Sequence, residues 1–331
     1  MIRILFRIPI YGFRKGKTMF QAILNCIKAY DTIIIHRHHH PDGDAMGSQI
    51  GMKHLIKESF PEKTVYVVGD EAKHFQFMTD SVMDEIADHV YEGSLAIILD
   101  TAATHLISDD RYKLAAKTVR LDHHIFCEKI ADEEVVDTSY ESCCGLITQF
   151  AIDCGLRLSP VAAQSLYTGM VTDSGRFRYD GTTSRTFRLA AVLMETGFDT
   201  NELFRNLYAD ELAGKQLKAR FTLKIQHTDH GVAYIYTDLE EFCALGLDTF
   251  TISRGMVNTM ADLKGIPICV NFTETEQGVL CEIRSNKYNI NPVAVKYGGG
   301  GHQKASGATV ADKDEAMAML NDLDAIAGGL E

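Results

Sequence analysis

None of the eight cysteines (26, 127, 143, 144, 154, 243, 269 and 281) forms a Cys-x-x-Cys pair, which argues against a structural zinc site. Adjacent Cys143 and Cys144 would rarely bridge each other, and 331 residues with 46% hydrophobic character can bury two ordinary cores without disulfides. Reduced thiols and a cytoplasmic location are therefore expected. No stretch approaches the roughly 20 apolar residues of a membrane-spanning helix, so no membrane association is expected. Internal repeats and low-complexity tracts are also missing. Basic residues are in deficit: 33 Lys and Arg face 45 Asp and Glu, a net charge of −12. Gripping long duplex nucleic acid depends on Lys and Arg at the phosphates, so that class of partner is disfavoured. A small phosphorylated substrate remains compatible if metals and a local basic patch offset the repulsion.

Two segments lack acids instead. Residues 1–18 carry Arg3, Arg7, Arg14, Lys15 and Lys17. Arg7 interrupts the apolar stretch and no small-x-small cleavage site follows, so these residues read as an extension ahead of a helix that begins at Met19. From Ile283 to Val310 there is no Asp or Glu, while Arg284, Lys287, Lys296 and Lys304 lie within the stretch. In so acidic a chain this is a local basic patch.

The patterning that is present alternates strands and helices. Helical spacing covers Phe20 to Tyr30, about Ala45 to Lys57, Ser81 to Asp88, Cys144 to Cys154 and Pro160 to Val171. Short apolar or β-branched runs mark strands at Thr32–Ile35, Thr64–Val68, Leu95–Leu99 and Val119–Leu121. This predicts an α/β domain over 19–182, with a mostly parallel sheet covered by helices on both faces. Residues 183–224 read as a helical connector. A smaller α/β domain follows over 225–331, with strands at Val232–Tyr236, Ile268–Thr273 and Val279–Arg284 and helical segments at Ala261–Leu263 and Glu315–Leu323.

The chemistry sits just after the apolar runs. His38, Asp42 and Asp44 fall within seven residues after the first strand; Asp100 follows Leu99, Asp122-His123-His124 follow Leu121, and Asp173 follows the helix ending near Val171. Carboxylates at that density repel unless cations sit between them. In open α/β sheets such positions gather at one edge, where ligands bind. His38 and Asp42 can serve one ion, Asp44, His123 and Asp173 a second, with Asp100 bridging. Mixed carboxylate and imidazole donors suit Mn²⁺, with Mg²⁺ or Co²⁺ as alternatives. Two ions about 4 Å apart clamp the oxygens of a phosphoryl group during in-line attack. His124 is placed to donate to a phosphate oxygen or a leaving group. In the basic patch, Gly298, Gly299, Gly300 and Gly301 allow backbone N–H groups to approach an anion, and His302 follows.

These motifs resemble the DHH–DHHA1 phosphoesterases, named for the tripeptide at Asp122. The match runs through His36–Ser48, Asp100-Thr101, Asp122–His124, Thr172–Arg178 and Tyr297–His302, and spans nearly everything from Met19 onward. It implies an N-terminal DHH domain and a C-terminal DHHA1 domain, the ligand roles given above, and manganese as the usual ion. It also implies that Arg284, the glycines and His302 hold nucleotide, with Ser285 and Asn286 beside them. Asp122 joins His124 as a catalytic candidate. Arg176 and Arg178 either contact phosphate or pack structurally. An Arg expected soon after Asp100-Thr101 is replaced by Ala102-Ala103-Thr104-His105; either His105 supplies a substrate contact there or the loop differs.

The nearest subgroup is NrnA-type, which combines hydrolysis of short oligoribonucleotides (nanoRNA) with dephosphorylation of adenosine 3′,5′-bisphosphate (pAp). The expected partners are short single-stranded RNA and small nucleotides. A homodimer is compatible with the sequence but fixed by no feature of it. The alternative is a phosphodiesterase for pApA or cyclic di-AMP. An inorganic pyrophosphatase, a RecJ-type exonuclease and a non-catalytic nucleotide sensor rank lower, the last because all six ligand positions are filled.

Overall fold

A computed structural model describes residues 19–209, 211–261 and 263–329; the N-terminal extension read in the sequence lies outside them. Packing divides the chain into two units, Met1–Ala209 and Asp210–Glu331. In the first unit the order is α1 (Gln21–Ala29), β1 (Thr32–His36), α2 (Gly43–Ser59), β2 (Thr64–Val67), β3 (Leu95–Leu99), β4 (Lys117–Asp122), β5 (Glu133–Val136), α3 (Cys143–Cys154), α4 (Pro160–Asp173), α5 (Ser184–Met194) and α6 (Thr200–Tyr208). The sheet order is β2-β1-β3-β4-β5, and every pair is parallel. A parallel strand buried on both faces needs apolar side chains in both directions. That is why Leu95 to Leu99 is an unbroken apolar run, fully buried.

The two faces are covered differently. Ile33, Ile35, Ile97, Leu99, Val119 and Leu121 pack into one core with α1 to α4. On the other face, Ile34 packs with Val68 and Tyr91, and Ile98 with Ile107 and Tyr112. There the cover is short 3₁₀ turns at Asp88–Tyr91 and Asp110–Leu114. Ser81–Asp88 is not the helix its spacing predicts. Asp84 donates its backbone N–H to Val67 O (2.7 Å) and accepts from Val67 N–H through Oδ2 (2.8 Å). Those bonds tie the segment to an edge strand and displace the i→i−4 bonds a helix would need.

Strand order places the functional loops. After β1 the chain moves to one side for β2, then returns to the other side of β1 for β3. The carboxyl ends of β1 and β3 therefore flank a topological switch point, where a crevice opens in such sheets. His38–Asp44 and Asp100 leave from those two ends, and Asp122 closes the next strand.

α2 packs along α4 through glycines four residues apart, Gly43, Gly47 and Gly51. A Cβ on Gly47 would lie 2.5 Å from the Ser165 carbonyl oxygen. One on Gly169 would lie 2.2 Å from Cys144 Sγ and 2.7 Å from Asp44 Oδ1. The glycines permit the close approach that sets Asp44, on α2, beside Asp173, on α4.

The second unit contains α7 (Leu212–Leu223), β6 (Gln226–His227), β7 (Val232–Thr237), α8 (Leu239–Leu245), β8 (Ile268–Thr275), β9 (Gly278–Ser285), α9 (Asn291–Lys296), β10 (Gly300–His302), β11 (Ala305–Val310) and α10 (Lys313–Ala327). Its sheet runs β10-β11-β9-β8-β7-β6, antiparallel except for β7–β8. α9 and α10 pack into the core on one face, and Phe221 of α7 with Ile252 and Met256 on the other. Ala261 and Leu263 lie outside any helix; a single 3₁₀ turn, Asn258–Met260, precedes them. The 183–224 segment is shared: α5 and α6 pack on α4, whereas Phe221 of α7 belongs to the second unit's core.

Replacing Gly47 by Ala gains about 1 kcal/mol of helix propensity. Overpacking against a fixed backbone carbonyl costs about 1–3 kcal/mol. Gly47→Ala is therefore expected to lower the urea midpoint; a raised midpoint would show that α2 and α4 separate freely.

Candidate metal centre

Asp100 is the centre of the site. Its residue is 1% exposed, and neither carboxylate oxygen has a hydrogen-bond partner among the described residues. Oδ2 lies 3.5 Å from His38 Nε2, and Oδ1 lies 3.5 Å from His123 Nε2. Its backbone is in the left-handed region (φ 49°), a conformation Asp tolerates better than most residues but which still costs energy. Burial, followed by the charges of Asp44, Asp42 and Asp173, drives its pKa well above the usual carboxylate range.

Two donor groups share Asp100's neighbourhood. His38, Asp42 and Asp100 form one, and Asp44, His123 and Asp173 the other; the ligand atoms within each lie inside 4.8 Å of one another. His123 Nε2 is 3.4 Å from Asp173 Oδ2 and 3.7 Å from Asp44 Oδ2. All six residues picked from the sequence are thus brought together.

The surroundings hold each donor in place. Asp42 Oδ1 accepts from the N–H groups of Asp44 and Ala45 (both 3.0 Å), capping α2. Asp44, 1% exposed, accepts from the N–H groups of Cys143 (2.6 Å) and Cys144 (2.9 Å), at the start of α3. A helix N-terminus favours negative charge. Even so, burial first and the Asp42 charge second push its pKa up to about 7. Asp173 is also raised to about 7, by burial and then by Asp44.

The histidines are oriented through their other nitrogens. His38 Nδ1 donates to His39 O (2.8 Å) and His123 Nδ1 to Tyr140 O (3.4 Å). A carbonyl can only accept, so Nδ1 carries a proton in each ring, and Nε2 is turned toward carboxylate oxygens. The unpartnered Asp100 oxygens and these two imidazole nitrogens form a donor set that fits divalent cations.

His124 is arranged differently. Its Nδ1 donates to Asp122 Oδ1 (2.7 Å), and that hydrogen bond raises its pKa. This leaves Nε2, on the far side of a ring 44% exposed, for another partner. Asp122 is fully buried and receives Arg120 Nη2 at 2.5 Å. The sequence reading did not find Arg120, the Cys143 and Cys144 amides, or the Tyr140 carbonyl. For Arg120 a signal existed: it lies two residues before Asp122 on one strand and so shares its face. Backbone donors carry no residue-type signal.

The other expected site residues have the following surroundings. His105 is exposed on a 3₁₀ turn, Thr104–Leu106, after Asp100. Arg176 is exposed and stacks over the Tyr208 ring at 4.0 Å. In the second unit Arg284 Nη1 donates to Glu282 Oε2 (3.2 Å) and Ile283 O (2.9 Å). Ser285 Oγ donates to Pro267 O, and Asn286 donates its backbone N–H to Pro267 O. Gly298 to His302 is a turn after α9 (Gly298 φ 75°) leading into β10, and His302 is exposed.

A sequence profile of the DHH family's N-terminal domain matches residues 32–170, and one of the DHHA1 domain matches 243–329. The chain is 34% identical to the bifunctional oligoribonuclease and PAP phosphatase NrnA of Bacillus subtilis (strain 168), covering 93% of this chain and 98% of that protein. The chain belongs to the DHH family. A DHH relative from Streptococcus mutans, a probable bifunctional oligoribonuclease and PAP phosphatase NrnA, is 37% identical over 92% of this chain and 99% of its own length. The DHH fold is shared with an exopolyphosphatase-related protein from Bacteroides fragilis, with a TM-score of 0.81 at 22% identity, covering 95% of this chain and 98% of that one. Among the described residues, no helix is long and apolar enough to cross a membrane.

The raised carboxylates set a sign for pH. With folded pKa values of about 7 against an ordinary 3.8, the cation-free native state holds extra protons. The stability this supplies is present below pH 3.8 and lost as pH rises through 7. Cations compete with those protons. Adding Mn²⁺ to chelator-treated protein is therefore expected to raise Tm more at pH 8 than at pH 5.5. Equal shifts at both pH values would mean other groups bind the ion.

Proposed function

We propose that this protein is a two-cation phosphoesterase that hydrolyses short oligoribonucleotides to mononucleotides and removes the 3′-phosphate of pAp to give AMP. One observation carries the reading: a buried carboxylate, Asp100, with both oxygens unpartnered and one donor group on each side. The NrnA relatives named above support the substrate class.

His38 and Asp42 would hold one ion, Asp44, His123 and Asp173 the other, and Asp100 would bridge. The mixed oxygen and nitrogen donors favour Mn²⁺, with Mg²⁺ or Co²⁺ as alternatives. Divalent ions held there polarise the phosphoryl oxygens and make water more acidic. The remaining work falls to the chain. Water adds its oxygen to phosphorus and releases a proton to solvent, the P–O3′ bond breaks, and O3′ takes a proton from a donor that solvent then recharges. His124 is the donor of that proton, its raised pKa keeping it charged nearer neutral pH. Asp122, touching no substrate, positions the ring, and Arg120 fixes Asp122. Arg284, Ser285, Asn286, Gly298–Gly301 and His302, with His105 and Arg176, are the proposed nucleotide contacts. The net charge of −12 favours short strands over long duplex.

Chromatography of products from pAp, pApA, cyclic di-AMP and an RNA 5-mer with Mn²⁺ should give AMP from pAp and mononucleotides from the 5-mer. Turnover of cyclic di-AMP alone would replace this reading with the phosphodiesterase one. His124→Ala is expected to lower kcat by about 10²–10⁴-fold, the usual contribution of a general acid, with an unchanged thermal midpoint. An unchanged kcat would remove His124 from the chemistry.

A further inference from the structure

The run His36-Arg37-His38-His39-His40 supplies the metal centre with only one ligand, His38. Arg37 is fully buried and does something else. Its Nε donates to Gln49 Oε1 (2.9 Å), Nη1 to Asp70 Oδ1 (3.0 Å) and Nη2 to Asp70 O (2.5 Å). Ser108 Oγ also donates to Asp70, and Asp70 Oδ2 accepts the His40 N–H at 2.8 Å. Burial alone would raise the Asp70 pKa; these bonds outweigh it and bring it down to about 2. The network holds His40 in the left-handed region (φ 51°), a conformation that persists only where surroundings impose it.

The imposed turn sets His40 on the wall of a cavity of about 350 Å³, with Pro41, Asp70, Lys73 and His74. Lys73 and His74 are exposed on one 3₁₀ turn. Their side chains make no hydrogen bond or ion pair with the described residues. The cavity therefore offers an ammonium group and two imidazoles, each ring bringing at least one N–H. Asp70, the acid on its wall, is already neutralised by Arg37, and Glu71 is exposed to screening water. Pro41 directly precedes Asp42, so the cavity borders the metal loop, with adjacent Cα atoms about 3.8 Å apart.

We infer that this cavity is a phosphate subsite for the 5′-phosphate of the nucleoside whose 3′-oxygen departs. The inference rests on the phosphoesterase reading above and adds a reason why one centre serves two substrates. In pAp and in pNpN alike, hydrolysis at P–O3′ releases the same half, a 5′-phosphorylated nucleoside with a new 3′-hydroxyl. A fixed anion site bordering the metal loop recognises that half whatever lies beyond the scissile bond. Lys73 carries the charge, and His40 and His74 supply directional donors.

Steady-state kinetics on pApA and on ApA, which differ only in the 5′-phosphate, test this. The wild-type protein is expected to show a lower KM for pApA. In the Lys73→Ala/His74→Ala variant, KM for pApA rises about tenfold, the scale of a lost charge-assisted contact, with kcat retained and ApA kinetics unchanged. Lys73→Arg keeps the preference. A wild-type protein indifferent to the 5′-phosphate overturns the subsite, as does a double variant that preserves the pApA preference or loses both substrates equally. A wild-type protein that cleaves neither dinucleotide strikes the phosphoesterase reading instead.

Discussion

Four carboxylates, Asp42, Asp44, Asp100 and Asp173, are gathered around two imidazoles at the switch point of a parallel sheet, and the fold has to tolerate their repulsion. Two like charges 4 Å apart repel by about 4 kcal/mol at an effective dielectric of about 20. Asp100 is the sharpest case, buried with both oxygens bare. Three devices force the cluster together. Glycines on α2 and α4 remove the side chains that would separate Asp44 from Asp173. The N-terminal amides of α3 hold Asp44 by its two oxygens. The left-handed backbone at Asp100 turns the chain as it leaves β3. The glycines cost helix propensity and the left-handed Asp100 costs backbone energy, while the α3 amides offset part of the repulsion at Asp44. Their common effect is a site whose charge is balanced only by protons or cations.

The large features of that site were legible because parallel strands must be apolar on both faces. Runs such as Leu95–Leu99 stand out for that reason, and the first acid beyond such a run falls at the carboxyl edge by construction. Asp100 and the Asp122-His123-His124 tripeptide stand out that way, whereas Asp173 follows a helix and His38, Asp42 and Asp44 stand out by their spacing in one loop. What escaped was the supporting structure. The Tyr140 carbonyl behind His123 and the amides behind Asp44 belong to the backbone, so no residue type announces them. Ser81–Asp88 misled for a related reason. Its apolar spacing is helical, but the Asp84 bonds to Val67 decide its conformation, and tertiary pairing overrides a local pattern. β5 was missed because an edge strand of four residues, Glu133–Val136, carries too few apolar positions to stand out.

Glycine-rich stretches show the limit of composition more plainly. Gly298 to Gly301 read as an anion-binding loop, yet much of its glycine content answers to packing. A Cβ on Gly299 would lie 2.0 Å from the Gly307 carbonyl oxygen, and one on Gly301 2.6 Å from that of Ala305. Close strand contact demands glycine as strictly as a phosphate would. Only Gly298 and Gly300 have open space where a side chain would be. Arg284, the nearby cation, is partnered by Glu282 before any substrate arrives. Nucleotide binding there would have to exchange that partner for a phosphate, which favours the more highly charged anion.

The tripeptide Asp122-His123-His124 divides labour among three consecutive residues because it lies where a strand ends. Within β4, alternation sets Arg120 and Asp122 on one face, so the carboxylate turns inward to a buried guanidinium. Burial opposes its ionisation, but the bonds from His124 and Arg120 prevail and hold its pKa down at about 2. Past the strand, alternation no longer applies, and both imidazoles can face the same centre, with ring centroids 4.6 Å apart. They differ in what Nδ1 touches. A carbonyl behind His123 leaves its Nε2 turned to the Asp44, Asp100 and Asp173 carboxylates. A carboxylate behind His124 instead raises its pKa. What lies behind each imidazole, a backbone carbonyl or a carboxylate, is therefore what distinguishes two adjacent residues of one type.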